Sequence, residues 1–223
     1  MYRCEATSIE GFVQQLAVGL VAQGHYFYVT GHIPDRKRPE AIDQKLVDRY
    51  GLDVSKWARA RRKAAGVANA HYLRHDRFFV LIATAGKHPF FEEEPHFKDI
   101  RETPIKFGGY SIGCKRGVDG KWHASVRIHP DEYLNLKAYL VERAVHRSAE
   151  NLVAELKRVR FEPYAPVRRQ LLNILRAVNR VRKCAGFEPL PATSLRLRRG
   201  LRRPFASESH TPRSNDAVAA ASR

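Results

Sequence analysis

The residues best suited to metal chemistry lie close together in the segment KHPFFEEEPH. This segment contains His88, Glu92, Glu93, Glu94 and His96. Carboxylates, sometimes joined by a histidine, hold Mg²⁺ or Mn²⁺ around the scissile phosphate in metal-dependent nucleases. The spacing matches no established metal motif, however, and the segment also fits a solvated acidic loop. A metal-dependent nuclease acting on DNA or RNA is therefore an alternative function, and it is the only one that calls for Mg²⁺ or Mn²⁺.

Other catalytic signatures are absent from the sequence. There is no P-loop, no GxSxG turn and no cysteine–histidine signature of a nucleophilic enzyme. The stretch GGYSIG contains glycines but lacks the lysine and the helix start that a phosphate-binding loop requires. Catalytic residues need not be neighbours in sequence, so an enzyme stays an alternative. The main interpretation is a non-catalytic protein without a cofactor.

The composition points to a polyanionic partner. The chain has 40 lysines and arginines against 23 acidic residues, a formal net charge of +17 and a pI near 10.2. Such a charge repels itself in the compact state, and nucleic acid relieves it because neutralised phosphates release condensed counterions. We therefore expect binding to DNA or structured RNA through contacts dominated by phosphates. A structural component of a ribonucleoprotein would carry the same charge and is a further alternative.

The clearest basic surface is predicted on the last helix, residues 166 to 185. At about 100° per residue, its apolar side chains fall on one face and its basic side chains on the opposite face. The helix contains no acidic residue, whereas a merely solvated face more often mixes both signs. The apolar face consists of Val167, Leu171, Ile174, Val178 and Val181. The opposite face, here called the basic ridge, consists of Arg169, Arg176, Arg180 and Lys183.

A second basic helix is predicted over residues 55 to 65, in the stretch DVSKWARARRKAAG. One side of this helix carries Lys56, Arg59, Arg62 and Lys63. Another side carries Val54, Trp57, Ala58 and Ala65, and Arg61, which lies between Trp57 and Ala65, is predicted to pack or snorkel rather than to bind. The second helix of a helix-turn-helix enters the major groove. This one has no Asn or Gln to read adenine, so we expect phosphate contacts with one or two guanine contacts. A solvated helix is the alternative.

Three smaller groups of basic residues complete the predicted interface. The loop GHIPDRKRP carries Arg36, Lys37 and Arg38. The hairpin tip RHDR carries Arg74 and Arg77. The stretch LRLRRGLRRPF, residues 195 to 205 and here called the C-terminal arm, carries Arg196, Arg198, Arg199, Arg202 and Arg203. Such an arm can follow a phosphate backbone or remain a flexible tail that adds only non-specific affinity.

The elements that position these residues predict an α+β fold in two linked parts. Residues 8 to 86 give a helix at 9 to 22, a strand at 25 to 30, helices at 40 to 50 and 55 to 65, and strands at 68 to 73 and 78 to 84. This is the element order of a winged helix-turn-helix. Residues 87 to 104 read as a linker or packed loop. Residues 105 to 204 read as a β-hairpin up to 128, a helix from 130 to 158 and the basic last helix.

The remaining sequence features concern the cellular compartment and the biological role of the protein. Cys4, Cys114 and Cys184 lie far apart and form no disulfide framework, and no run of residues is long and apolar enough to span a membrane. We expect a cytoplasmic protein whose residues 205 to 223 form a disordered tail. The expected role is that of an accessory factor in replication, recombination or mobile-element biology. The oligomeric state and the choice between DNA and RNA are left open.

Overall fold

The computed structural model describes residues 2–200 and 202–205 and shows an α+β fold. Within these residues the seven helices are α1 (Ile9–Gln14), α2 (Pro39–Arg49), α3 (Lys56–Ala64), α4 (Pro89–Glu93), α5 (Pro130–Arg143), α6 (Ala149–Lys157) and α7 (Ala165–Cys184). The strands are β1 (Phe27–His32), β2 (Ala70–His75), β3 (Phe78–Ala83), β4 (Lys98–Asp99), β5 (Ile105–Phe107), β6 (Tyr110–Arg116) and β7 (Trp122–Ile128). The predicted disordered tail lies outside the described residues except for Phe205.

The first helical segment changes its winding along its length. The Ser8 hydroxyl accepts a hydrogen bond from the Gly11 amide (3.1 Å) and begins α1. The helix continues as a π-helix over Gln15–Leu20 and as a 3-10 turn over Val21–Gln23. It ends at Gly24, whose φ of 95° lies in the left-handed region that favours glycine. The predicted helix from 9 to 22 is thus helical throughout, although the hydrogen-bonding pattern is not uniform.

The first sheet has four antiparallel strands in the order β2-β3-β1-β4. β2 and β3 form the predicted hairpin, in which His75 pairs with Phe78 and only Asp76 and Arg77 form the tip. Because β1 lies between β3 and β4, Tyr28 is buried in the centre of the sheet. The predicted element order of this part is confirmed. The winged-helix arrangement itself stays a prediction.

The chain after residue 86 departs from the sequence prediction in three places. The segment predicted as a linker or loop contains the short helix α4 and the strand β4. The hairpin of β6 and β7 gains a third strand, β5, on the β6 side. The predicted helix from 130 to 158 is two helices, because α5 ends at Arg143 and Ser148 begins α6 by accepting a hydrogen bond from the Asn151 amide (3.3 Å). A serine that bonds locally to backbone favours such a helix start over a helix interior.

The larger hydrophobic core is shared by the two parts of the chain. It joins Phe12 of α1 and Val80 of β3 to Ile112 of β6 and Leu171 of α7. A smaller core under α2 contains the buried residues Cys4, Val47, Tyr50, Leu52, Ala70, Tyr72, Leu81, Ala83 and Phe90. Within the described ranges, none of the helices has the length and apolar character needed to cross a membrane.

Candidate nucleic-acid interface

The last helix, α7, holds the basic ridge away from the core. Val167, Leu171, Ile174 and Val178 are buried, whereas all four side chains of the ridge are exposed. Val181 is half-buried and packs at the edge of the core. The two-faced helix predicted from the sequence is therefore confirmed.

The charges of the basic ridge are not compensated by nearby acids. Among the residues that the structure describes, no ridge side chain forms an ion pair, and α7 itself contains no Asp or Glu. Arg176 donates one hydrogen bond to the Asn173 side chain (2.8 Å), which carries no charge. The ridge extends from Arg169 to Lys183, about 21 Å at the helical rise per residue. That length corresponds to about six steps along one nucleic-acid strand.

The ridge stands on a helix that is fixed at several points. The Gln170 amide exchanges two hydrogen bonds with the backbone of Ile128 in β7 (2.9 and 3.0 Å). The Arg182 guanidinium is buried and donates to the carbonyls of Ala144 and Glu188 (2.9 Å each). Sequence reasoning missed Arg182 because a buried arginine on a basic helix has no local sequence signal. With α7 held in this way, the backbone of the ridge is fixed in place, so only the ridge side chains need to be ordered when a charged partner binds.

The α3 helix turns a different face to solvent from the one predicted. No residue of α3 is buried, and Trp57 is 78% exposed. Arg61 is also exposed, whereas Arg59 and Arg62 are half-buried toward the body of the protein. The prediction that Arg61 packs against the protein is therefore wrong, and Trp57 faces solvent beside it. The outward cations of α3 are Lys56, Arg61 and Lys63.

Polar contacts rather than core packing hold α3 in place. The Ser55 hydroxyl accepts a hydrogen bond from the Ala58 amide (3.2 Å) at the start of the helix. The Asn69 side chain donates to the carbonyl of Arg59 (3.1 Å), and Gly66 ends the helix in the left-handed region with a φ of 69°. The packing predicted for Arg61 is wrong because α3 makes no contact with the apolar core that would bury one of its sides.

Arg74 and Arg77, predicted as phosphate contacts, both serve the protein's own structure. Arg74 is only 2% exposed and donates to both carboxylate oxygens of Asp43 at 2.9 Å. The Arg77 guanidinium donates to the carbonyl of Pro34 (2.8 Å) and pairs with Asp35 (3.2 Å). The prediction is therefore wrong for Arg74, whose donors are engaged inside the fold. Arg77 is half-buried and its contacts lie at the surface, so its phosphate contact stays a prediction.

Arg77 in turn organises the loop that carries Arg36, Lys37 and Arg38. These three side chains are exposed, and the Lys37 amide donates to the carbonyl of Pro34 (2.9 Å) to form a turn. The loop therefore presents three cations from a backbone that is hydrogen-bonded to Arg77. All three keep their place in the predicted interface.

The C-terminal arm is tied to the body by a buried carboxylate. Glu162 is 1% exposed, and its Oε1 accepts hydrogen bonds from Arg196 (3.1 Å) and Arg202 (2.8 Å). The guanidinium carbon of Arg199 lies 4.9 Å from the centre of the Tyr164 ring, a cation–π contact. Two of the five predicted arm contacts are thus ion-paired within the protein, and a third is stacked on a ring.

The far end of the arm packs on the first helix. The Thr7 amide donates to the carbonyl of Pro204 (3.0 Å), and the Gln14 side chain donates to the carbonyl of Arg202 (2.9 Å). The arm is therefore docked over its described residues rather than extended. Arg198 and Arg203 are exposed and remain available to an external partner.

The residues proposed for a metal site do not assemble into one. His88 begins α4, where its Nδ1 accepts a hydrogen bond from the Phe90 amide (3.1 Å). The Glu93 carboxylate pairs with Arg49. Within residues 2–200 and 202–205, no group of three or more His, Cys, Asp or Glu side chains is placed to hold a metal ion. Glu92, Glu94 and His96, the other members of the predicted set, belong to no such group among the described residues either.

The buried His25 and the half-buried His71 form a contact that the sequence did not indicate. The rings of His25 and His71 meet edge to face, with their centres 5.0 Å apart, and His25 Nδ1 lies 3.0 Å from the carbonyl of Leu20. Burial, followed by the nearby charge of Arg59, lowers the pKa of His25 to about 4, and burial, followed by the charges of His25 and Arg59, lowers the pKa of His71 to about 3. Both rings are therefore neutral at physiological pH.

A cavity of about 960 Å³ lies between the N-terminal segment and α2, and it has the wrong charge for phosphate. Acidic side chains dominate its charged lining: Glu5, Glu40, Asp43, Asp48, Asp53 and Asp76. A polyanion is repelled from such a surface at short range. The cavity is therefore not part of the candidate interface.

Comparisons with known proteins do not place the chain in a family. No protein-family model matches it, and neither the curated proteins nor the solved structures include a match. Its function must therefore be argued from its own residues and their geometry.

Proposed function

We propose that this protein binds nucleic acid through contacts dominated by phosphates, with the basic ridge of α7 as the principal surface. The observation that carries the proposal is a row of four exposed cations on an anchored helix, with no acidic partner among the described residues. Cations without acidic partners, placed in a row on an anchored helix, favour a partner whose negative charges repeat along a line. DNA and structured RNA are such partners.

The outward cations of α3 and of the loop before α2 support the same proposal. They add exposed positive charge at two further places: Lys56, Arg61 and Lys63 on α3, and Arg36, Lys37 and Arg38 in the loop. A footprint with several contact points suits an accessory factor in replication, recombination or mobile-element biology. Phosphate contacts carry no sequence information, so we expect weak base specificity from the ridge.

A winged-helix mode is the finer form of this proposal for residues 8 to 86. In that mode α3 would enter a major groove and read one or two guanines. The burial of Arg74 removes one of the two phosphate contacts expected from the hairpin tip. The finer mode therefore depends mainly on α3 and predicts a preference for duplexes that contain guanine.

The proposal is tested by neutralising the ridge and measuring the salt dependence of binding. The variant carries Arg169→Gln, Arg176→Gln, Arg180→Gln and Lys183→Gln. Each lost phosphate contact on duplex DNA lowers the slope of log K against log salt by about 0.9, so we expect a slope smaller by up to about 3.6. The control removes the same charge from exposed lysines elsewhere: Lys45→Gln, Lys106→Gln, Lys115→Gln and Lys157→Gln.

The two variants separate a specific surface from a general effect of charge. Equal weakening in both would show that net charge alone drives binding, and the ridge proposal would then be abandoned. Labelled duplex DNA, single-stranded DNA and hairpin RNA should each be titrated, and each sample should be run on a denaturing gel with Mg²⁺ and then with chelator. Cleavage that disappears with chelator would favour the nuclease alternative instead.

A further inference from the structure

The exposed tryptophan of α3 has no role in the packing of the protein. Among the described residues, Trp57 makes no ring–ring or cation–π contact, whereas Trp122, at 38% exposure, lies beside the Arg101 guanidinium at 5.9 Å. An isolated apolar side chain on a surface is common and needs no explanation by itself. Trp57 differs because it lies on a helix with five basic residues, no acidic residue and no buried residue.

The surroundings of Trp57 form a flat apolar strip between positive charges. At about 100° per residue, Trp57, Ala60 and Ala64 fall within about 60° of one another on the outward side. Arg61 lies on one flank of this strip, and Lys56 and Lys63 lie on the other, each about 70 to 90° from its centre. All six side chains are exposed. We call this surface the Trp57 face. Its alanines leave room for a planar group to approach the indole.

Helix stability does not account for the charges of the Trp57 face. The helix dipole favours basic residues in the last turn of a helix, and this explains the presence of Arg61 and Lys63. Lys56 is in the first turn, where the dipole disfavours a cation, and the first turn has no acidic residue to offset it. Lys56 therefore opposes the stability of α3, and an external anion would compensate it.

We infer that the Trp57 face binds unpaired nucleotides, with a base stacked on the indole and the adjoining phosphates held by Arg61 and the two lysines. Every base has a planar π-face, and aromatic stacking combined with cations is the usual way in which proteins hold single strands. A stacked base must be free of its own duplex neighbours, so this face selects single-stranded over paired nucleic acid, and this mode of binding replaces the entry of α3 into a duplex groove. The inference rests on the proposed function and names the substrate class of one part of the interface.

The test compares three DNA probes that differ only in unpaired nucleotides. They are a blunt-ended hairpin that is closed by a non-nucleotide linker and so has no unpaired base, the same hairpin with a single-stranded oligo(dT) tail, and the oligo(dT) alone. The full chain binds the tailed hairpin more tightly than the blunt one if the Trp57 face engages the tail. Trp57→Leu removes the planar ring from an exposed site, so we expect about tenfold weaker binding of the tailed hairpin and unchanged binding of the blunt hairpin. Trp57→Phe keeps a π-face and should recover part of the loss.

A fluorescence measurement locates the contact independently of affinity. The chain has two tryptophans, so Trp122→Phe leaves Trp57 as the only indole. Stacking should quench the Trp57 emission when oligo(dT) or the tailed hairpin is added, and the quenching should saturate together with binding. The blunt hairpin should bind without quenching. Matched circular dichroism spectra of the variants confirm that the fold is retained.

The outcomes separate this inference from the proposed function. Salt-dependent binding with no preference for the tail and no quenching would overturn the inference while the proposed function stands. Quenching by the blunt hairpin would assign the Trp57 face to paired nucleic acid and would also overturn it. Failure of the full chain to bind any of the three probes at low salt would refute both.

Discussion

Mild acid is expected to destabilise the protein through its two buried histidines, and His25→Gln isolates this effect. The His25 ring is 7% exposed and touches His71, with Arg59 and Lys63 adding positive charge nearby. Burial lowers the pKa of His25 from 6.5 to about 4. Between these two pH values the folded state therefore binds fewer protons than the unfolded state. The stability contributed by a neutral His25 is therefore complete above about pH 6.5 and is lost as the pH falls toward about 4.

The size of the effect follows from the two pKa values. Between about pH 7 and about pH 5, the unfolded state gains about 2 kcal/mol from protonating His25, while the folded state gains almost nothing. His71, with its pKa lowered to about 3, adds a similar amount. Lowering the pH over this range should thus reduce the free energy of unfolding by about 4 kcal/mol through the two histidines together. This is a large share of the stability of a typical domain. Gln at position 25 can still donate to the Leu20 carbonyl but does not titrate.

The assay is urea unfolding followed by circular dichroism at the two pH values. His25→Gln should lose about half as much free energy of unfolding as the natural sequence when the pH is lowered, a difference of about 2 kcal/mol. The double variant His25→Gln with His71→Gln should lose still less. Carboxylates that titrate at lower pH are common to all three proteins and cancel in the comparison. Equal losses in the single variant and the natural sequence would refute the reasoning about the buried pair.

Three further predictions concern stability and local order. Asp43→Asn leaves the buried Arg74 charge paired only with the exposed Glu5 carboxylate and should lower the free energy of unfolding by about 3 kcal/mol, measured by urea denaturation; a loss below about 1 kcal/mol would contradict the buried pairing. Glu162→Gln should release the C-terminal arm and speed amide exchange at Thr7, whereas unchanged exchange would mean that the arm is held by other contacts. Ser55→Ala removes the cap of α3 at a cost of about 1 kcal/mol, which should appear as faster exchange confined to α3.

The order of elements could be predicted because glycine and proline mark most of the boundaries. Gly24, Gly51, Gly66 and Gly186 each end a helical segment in the sequence pattern, and each has a positive φ in the structure. The apolar spacing of α7 likewise fixed its buried face, since a helix of 20 residues repeats its pattern often enough to define a direction.

The parts of the candidate interface that could not be predicted depend on contacts distant in sequence. Arg74 faces inward because Asp43, which lies 31 residues earlier, meets it across the small core. No local pattern distinguishes this arginine from a solvated one. The packing role of Arg61 was mispredicted for a related reason: nine residues with alternating alanines and cations define no clear buried face, and no residue of α3 is buried.

The docking of the C-terminal arm on α1 sets a limit on when this protein can finish folding during its synthesis. The hydrogen bond from Gln14 to the Arg202 carbonyl spans 188 positions of the chain. Gly11 admits the arm closely, since a Cβ there would lie 3.0 Å from the Cα of Pro204. A contact of such long range closes a very large loop and forms late. The α1 helix therefore acquires its full set of neighbours only after Arg202 and Pro204 have been synthesised.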